Sequence, residues 1–288
     1  MKHQTKVTII INCFNGENFI NDCISSVLAQ TYLNWELVFW DNLSTDNSAK
    51  ILKKFKDKRI KYFKASKHTN LPNARNLALE KAKYDLIAFL DIDDTWHKDK
   101  LKYQVAETNK NKNFSFCYTK TKVIHEDSSH SQNKSQILRK ISTQFFSPKT
   151  KDRLLISNFI YFSSVLINKN LLNDRKLFND KYLQAEDYDL LLKLSSAGKV
   201  IYINKELTKY RIHNNNLTTS QYSKSFSESL EILKAYKKNK YSNLGKAINY
   251  LKLSQFLFIK NQYNSSVMFF FKGVLSFLIF GILYVFSI

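Results

Sequence analysis

The sequence predicts an α/β protein, a parallel sheet with helices on its faces, followed by a helical C-terminal region. Three observations carry that prediction. Short apolar runs alternate with segments of helical periodicity over the first hundred residues, and the connections between them are short. From Ser225 onward apolar residues recur at helical spacing. The sequence closes on a nearly uninterrupted apolar tract, Val267–Ile288.

Taken in order, Val7–Asn12 is a continuous apolar run and reads as a strand buried on both faces. Asn18–Gln30 places Phe19/Ile20, Cys23/Ile24 and Val27/Leu28 at helical spacing. Trp35–Trp40 reads as a second strand, Asn47–Phe55 as a helix and Arg59–Phe63 as a short third strand. Pro72 opens a helix that runs to about Lys83, because a proline in the first turn forfeits no intrahelical hydrogen bond. Leu86–Leu90 is a fourth strand. Beyond Trp96 the alternation breaks down, and Thr121–Arg153 is polar enough to suggest loops around an acceptor site. Tyr161–Asn168 reads as a strand, Glu186–Ala197 as a helix with Leu190, Leu191 and Leu194 inward, and Lys199–Ile203 as a strand. The domain reading is 1–219 for the α/β part, with halves 1–96 and 97–219, and 220–288 for the helical part with its apolar tail 267–288.

Composition narrows the function classes. Lys plus Arg number 45 and Asp plus Glu 24 in 288 residues, a net charge of +21 that calls for an anionic partner or surface. Only five glycines are present, at 16, 198, 245, 273 and 281, so neither Gly-x-Gly-x-x-Gly nor a Walker A loop can be written. A nucleotide would be held without a glycine cradle. Cys13, Cys23 and Cys117 form no CxxC pair, which argues against a disulfide framework or structural zinc and fits a reducing compartment. Val7–Ile11 is too short for the core of a secretory signal.

The tail has three readings. Lys272 is its only charge, and the sixteen residues from Gly273 span about 24 Å as a helix, short of a hydrocarbon core of about 30 Å. With Val267–Phe271 included, the tract is long enough to cross. It can cross the membrane, lie in the interface, or fold back as a buried helical hairpin. Lys234, Lys237, Lys238, Lys240, Lys246, Lys252 and Lys260 precede it and mark that side as cytoplasmic.

The chemistry-bearing residues cluster at strand ends. In open parallel sheets ligands bind beyond the carboxyl ends of the strands. Those ends carry Asn12-Cys13-Phe14-Asn15, Asp41-Asn42 and Asp91-Ile92-Asp93-Asp94. Two carboxylates at i and i+2 after a strand can converge on one hard divalent cation that keeps open positions for substrate phosphates. The plainer alternative is a solvated acidic turn. Asp187 begins a helix, where an acid also suits the helix dipole, and His213 taken alone is an ordinary loop histidine.

The motifs together resemble one family. Val7-Thr8-Ile9-Ile10-Ile11-Asn12-Cys13-Phe14-Asn15-Gly16-Glu17 is followed by Ser25–Tyr32, then Trp35–Asn42 with Ser44-Thr45-Asp46, and then Ala74-Arg75-Asn76. Phe89–Trp96, Glu186-Asp187-Tyr188-Asp189-Leu190 and Tyr210-Arg211-Ile212-His213 complete the series. In this order, over about residues 5–219, the blocks resemble the family 2 glycosyltransferases of GT-A fold, inverting hexosyltransferase-type enzymes that build bacterial surface polysaccharides such as capsule and lipopolysaccharide. The resemblance implies a Rossmann-like mixed sheet and a divalent cation, Mn²⁺ or Mg²⁺. It also implies a nucleotide-sugar donor and a glycan or glycolipid acceptor. By matching position, Phe14 stacks on the base and Asp41 takes a base N–H, which suits uracil and hence a UDP-sugar. Asn12, Asn15 and Glu17 border the base pocket, and Arg75 lies near the diphosphate. Asp91 contacts the ribose or the metal, Asp93 and His213 serve the metal, and Asp187 is the catalytic base. Phe14 stands where tyrosine is frequent, losing a hydroxyl but keeping the stacking face. Asn42 stands where a second aspartate is frequent.

Lys50–Lys67 holds nine basic residues and one acid, a run that could track phosphates as in a nucleic-acid-binding protein, yet no nucleic-acid motif accompanies it. A basic membrane-binding scaffold with a degenerate transferase domain would not need the acidic set. The expectation is therefore an enzyme at the cytoplasmic face of the bacterial inner membrane, without a nucleic-acid partner.

Overall fold

A computed structural model describes residues 5–111, 113–126, 149–172, 176–214, 216 and 221–285. The chain divides into two compact units. One draws on Met1–Asp127, Ile160–Asp180 and Leu194–His213, the other on Ser128–Phe159, Lys181–Lys193 and Asn214–Ile288.

The first unit is built on an eight-stranded sheet. Strand β1 (Val7–Cys13) is β-branched and buried nearly throughout, as a strand covered on both faces must be. It pairs in parallel with β2 (Trp35–Asp41), and β2 with β3 (Ile60–Lys64). On its other side β1 pairs in parallel with β4 (Leu86–Phe89). The Thr8 hydroxyl donates to Glu36 at 2.8 Å, fixing that register from a side chain. Helix α1 (Ile20–Leu28) buries Ile20, Cys23, Ile24 and Val27, one stripe at i, i+3, i+4 and i+7. Helix α2 (Ser48–Leu52) is shorter than the sequence pattern suggests, and the lysine-rich residues after it leave the helix. Helix α3 (Leu71–Glu80) carries Pro72 in its first turn, and the Asn70 side chain caps it by accepting from the Asn73 N–H at 3.0 Å.

The strands read in the first hundred residues, β1 to β4, pair in parallel as expected, and beyond β4 the sheet is mixed, as the GT-A resemblance implies. The elements are β5 (Thr95–Trp96), α4 (Lys100–Asn109), β6 (Phe114–His125), β7 (Leu166–Asn168) and β8 (Lys199–Ile212). The sheet order is β3-β2-β1-β4-β7-β6-β8-β5, with β7 antiparallel to both β4 and β6, and β5 antiparallel to β8. Of the expected strand Tyr161–Asn168, only Leu166–Asn168 is a strand, because a 3₁₀ turn at Phe162–Ser164 precedes it. The expected strand Lys199–Ile203 runs on to Ile212. Its alternation of buried residues, Ile201 and Ile203, is interrupted by the exposed Asn204–Glu206, where the β6–β8 register shifts, so period-2 reading loses it there. Of the expected loop Thr121–Arg153, residues 121–125 belong to β6 and Thr150–Arg153 to a helix; 127–148 lie outside the described residues.

The second unit is helical: α5 (Thr150–Ile156), the first two turns of α6 (Glu186–Ala197), α7 (Tyr222–Lys234), α8 (Lys240–Ile259) and α9 (Tyr263–Val285). Helix α6 has the bounds that the sequence predicts, and Leu190, Leu191 and Leu194 are buried. Gly245 of α8 lies so close to α5 that a Cβ there would sit 1.9 Å from the Leu155 carbonyl oxygen.

Candidate active site

Three neighbouring parallel strands, β2, β1 and β4, deliver their carboxyl ends to one edge of the first unit. At the β1 end Phe14 is 49% exposed and its ring centroid lies 4.3 Å from that of His68. Asn15 takes a positive φ of 54°, and its side chain accepts from the Thr45 N–H at 2.9 Å. The Glu17 carboxylate accepts from the Asn47 backbone and side chain at 2.9 and 2.8 Å. Asn15 and Glu17 thereby tie this turn to the loop after β2. The Asn12 Nδ2 is buried without a hydrogen-bond partner among the described residues.

At the β2 end Asp41 is almost wholly buried. It accepts from the Ser44 N–H at 2.7 Å and from the Tyr62 hydroxyl at 2.7 Å, and burial and that bond raise the Tyr62 pKa. Each carboxylate oxygen retains a second acceptor site. Asn42, which stands where the family often has aspartate, serves the structure: its side chain donates to the Thr69 carbonyl at 2.7 Å and accepts from the Thr69 hydroxyl at 3.1 Å.

At the β4 end the acidic run divides its work. Asp91 pairs with Arg75 Nη2 at 2.8 Å, and its backbone N–H donates to the Ser163 hydroxyl at 3.0 Å. Arg75 is buried, its guanidinium 4.7 Å from the Phe162 ring centre and 5.5 Å from that of Phe178. Asp93 Oδ2 lies 3.0 Å from His213 Nε2, and the His213 ring stacks on Phe19 at 4.6 Å. Asp94 is buried, accepting from the Arg211 N–H at 2.9 Å through one oxygen. Its other oxygen has no hydrogen-bond partner among the described residues. The desolvating surround raises the Asp91 pKa, with Arg75 opposing and Asp93 adding to it. Burial, then Asp93 and Asp91, push the Asp94 pKa well above the usual carboxylate range.

Asp187 belongs to the second unit, in the first turn of α6. Its Oδ1 accepts from the Tyr188 N–H at 2.6 Å. The start of that helix is fixed from α7: the Glu228 carboxylate accepts from the backbone N–H groups of Leu183, Gln184 and Ala185 at 3.0, 2.8 and 3.0 Å. The buried Tyr188 hydroxyl donates to the Leu154 carbonyl at 2.8 Å.

A model of the family named Glycosyl transferase family 2 matches residues 8–175. The chain belongs to that family. It is similar to the Escherichia coli UDP-Glc:α-D-GlcNAc-diphosphoundecaprenol β-1,3-glucosyltransferase WfgD, 32% identical over 249 residues that cover 85% of this chain and 92% of that one. The putative teichuronic acid biosynthesis glycosyltransferase TuaG of Bacillus subtilis is 28% identical, covering 75% of this chain and 82% of its own. Three uncharacterized Rickettsia glycosyltransferases are similar over only about a third of their length: 33%, 33% and 30%. Among solved structures, S. aureus TarS 1–349 has a TM-score of 0.66 at 18% identity, covering 94% of this chain and 81% of its own. The mannosyltransferase PcManGT of Pyrobaculum calidifontis, in complex with GDP-Man and Mn²⁺, has a TM-score of 0.67 at 13% identity, covering 93% of this chain and 74% of its own. These two likenesses show the fold. The expected family, enzyme class and fold class all hold.

Within this family 2 glycosyltransferase, the expected metal set is brought together in part. Asp93 and His213 are neighbours, whereas Asp91 turns to Arg75, and no group of three or more His, Cys, Asp or Glu side chains is placed to hold a metal among the described residues. A carboxylate oxygen beside an imidazole nitrogen nevertheless fits an Mn²⁺- or Mg²⁺-like ion. Such ions take few protein ligands when phosphates and water complete the shell. Sequence reasoning missed Arg211 as a working residue. Its Nε donates to the Asp93 carbonyl at 3.0 Å and its Nη2 pairs with Asp22 at 2.8 Å, so one side chain and its N–H brace the whole Asp93-Asp94 turn. It also missed Ser163 and Glu228. No sequence signal announces a partner more than forty residues away.

Proposed function

We propose that this glycosyltransferase moves a sugar, with inversion, from a UDP-sugar to a hydroxyl of a lipid-linked or polysaccharide acceptor. The acceptor belongs to bacterial surface polysaccharide synthesis, and the enzyme works at the cytoplasmic face of the inner membrane. The observation that carries the donor reading is the convergence of Phe14, Asp41, Asp91 and Asp93 on one sheet edge, with Arg75 and His213 beside the last two. The similarity to WfgD, whose name specifies a UDP-Glc donor and a diphosphoundecaprenol-linked acceptor, supports the substrate class. TuaG, named for teichuronic acid biosynthesis, supports the surface-polysaccharide setting.

In this reading the half-exposed Phe14 ring stacks on the uracil, and the spare acceptor sites of Asp41 receive a base N–H. Asn12, whose amide nitrogen has no hydrogen-bond partner among the described residues, and the turn held by Asn15 and Glu17 border the base. Asp91 takes a ribose hydroxyl while Arg75 keeps its carboxylate oriented and adds positive charge near the diphosphate. Asp93 and His213 would hold the divalent cation, which when bound neutralises the leaving diphosphate. Asp187 accepts the proton of the acceptor hydroxyl as that oxygen forms a bond to the anomeric carbon and the bond to the diphosphate oxygen breaks. The acceptor oxygen enters opposite the leaving group, so the configuration inverts.

Calorimetry of UDP binding with and without Mn²⁺ tests the donor site. Wild type should bind UDP more tightly with Mn²⁺, and Asp93→Ala should lose most of that gain. Binding of equal strength in both proteins at every Mn²⁺ concentration would remove Asp93 from metal ligation.

A further inference from the structure

The α8–α9 hairpin is built inside out for water. Helix α9 meets α8 through Ser266, Phe269, Gly273, Ser276 and Phe280, a seam repeating every three to four residues whose members are largely small or polar. The Ser266 hydroxyl donates to the Ser254 carbonyl at 3.0 Å, and the Ser254 and Ser266 hydroxyls lie 3.3 Å apart. A Cβ on Gly273 would come within 2.9 Å of the Leu251 side chain and 3.3 Å of the Ala247 carbonyl oxygen. Phe280 closes the seam against Leu244 and Ile156. Outside the seam the same helix exposes Val267, Met268, Phe270, Phe271, Leu275 and Leu278, each 45–65% accessible. A hairpin folding in water would bury those and expose the serines. Small residues and serine bonds inside, with large apolar residues outside, is the pattern of helices packed in lipid.

Polarity alone leaves crossing and lying flat open; packing decides between them. Helix α9 is packed along α8 from Phe280 against Leu244 to Ser266 against Ser254, so a crossing α9 would carry α8 into the hydrocarbon with it. That would bury Lys246 and Lys252 of α8 as well as Lys272, and a charged side chain near the centre of a membrane-crossing helix is strongly unfavourable. On the helical wheel Lys272 falls at the edge of the apolar arc, next to the seam. It holds its ammonium 5.2 Å from the Phe269 ring centre, where it reaches headgroups if α9 lies flat. Lys260 at the hairpin turn and Lys237 and Lys238 before α8 are exposed, so cations stand near both ends of α9.

We propose that α9 lies in the plane of one leaflet of an anionic bilayer, with its apolar arc among the acyl chains and α8 between it and the rest of its unit. This rests on the membrane part of the proposed function and adds depth and orientation to it. In this arrangement the lipid supplies the apolar environment that α9 lacks, and no charge need leave the headgroup layer.

Val267, Phe271, Leu275 and Ile282 point the same way at helical spacing and are all exposed, so each can be replaced singly by Cys in the full chain. The three native cysteines are buried. Spin labels at the four sites are measured on phosphatidylglycerol/phosphatidylethanolamine vesicles for accessibility to oxygen and to a nickel chelate. An in-plane α9 puts all four at one depth, about 5–10 Å below the headgroups. A crossing helix puts Phe271→Cys and Leu275→Cys deepest and the outer two toward opposite surfaces, which would overturn the in-plane placement alone. Failure of the full chain to float with vesicles, with dimers in sedimentation, would overturn the membrane reading itself and give the apolar arc to a second copy. UDP binding, measured on the same samples, is a separate readout, so the donor reading stands or falls independently.

Discussion

Arg75→Met removes the cation that Asp91 faces while keeping an apolar side chain between Phe162 and Phe178. Breaking one partner of a buried pair costs about 3–5 kcal/mol. Arg75 is buried, but the Asp91 side chain is 38% exposed, so solvent screening lowers the loss to about 2–3 kcal/mol. In a protein of this size each kcal/mol shifts Tm by about 2–4 °C, so the expected drop is about 4–12 °C. Thermal melts in EDTA keep metal binding out of the comparison. The decisive assay is a double-mutant cycle with Asp91→Asn. Asn makes no demand for a counter-charge, so Arg75→Met in that background should cost about 1.5 kcal/mol less than in wild type. Additivity within about 0.5 kcal/mol would show that the two residues do not act as a pair, and would refute the reasoning.

Lys100 is fully buried, donates to Gln104 Oε1 at 2.8 Å and sits 3.9 Å from the Trp96 ring centre; burial lowers its pKa to about 7. The unfolded chain keeps this lysine protonated up to about pH 10.4, so between the two values it binds more protons than the folded one, and stability rises with pH. The Tm difference of Lys100→Met from wild type should therefore be most positive near pH 6 and shrink toward pH 10; a difference independent of pH would contradict this. Gly245→Ala forces a methyl onto the Leu155 backbone carbonyl and should cost about 1–3 kcal/mol in a denaturant melt, whereas an unchanged midpoint would mean that α5 and α8 part easily. Asp187→Asn should lower transfer about 10²–10⁴-fold with UDP affinity kept within about threefold; near-normal transfer would remove Asp187 from the base role.

The sequence made the carboxyl ends of β1, β2 and β4 legible because their signals are local. Val7–Cys13 is apolar by composition, and the polar residues that follow it announce a strand end without any long-range contact. The same holds for Asp41 and for Asp91–Asp94. Helix α6 was legible to the residue because three acids open it and its leucines keep helical spacing. What escaped is non-local. Arg211 braces a turn 117 and 118 residues away, and Glu228 caps a helix start 43 to 45 residues earlier in the chain. Strand β6 escaped for another reason: its second half, Lys120–His125, sets three polar residues before Val123-Ile124 with no alternation, and so reads as loop until β8 pairs with it. Of the three readings of the tail, the buried hairpin is met only in its connectivity. The apolar tract does fold back as a hairpin, but with its large residues outward.

The central proposal is glycosyl transfer from a UDP-sugar to an acceptor hydroxyl, with Asp187 as the base. Its most direct test incubates the full chain, Mn²⁺ or Mg²⁺, a panel of UDP- and GDP-sugars and a GlcNAc-diphospholipid acceptor, with released nucleotide as readout. The account predicts release of UDP that depends on the acceptor and is abolished in Asp187→Asn. Release from none of the donors, with wild-type protein shown to be folded, would contradict it.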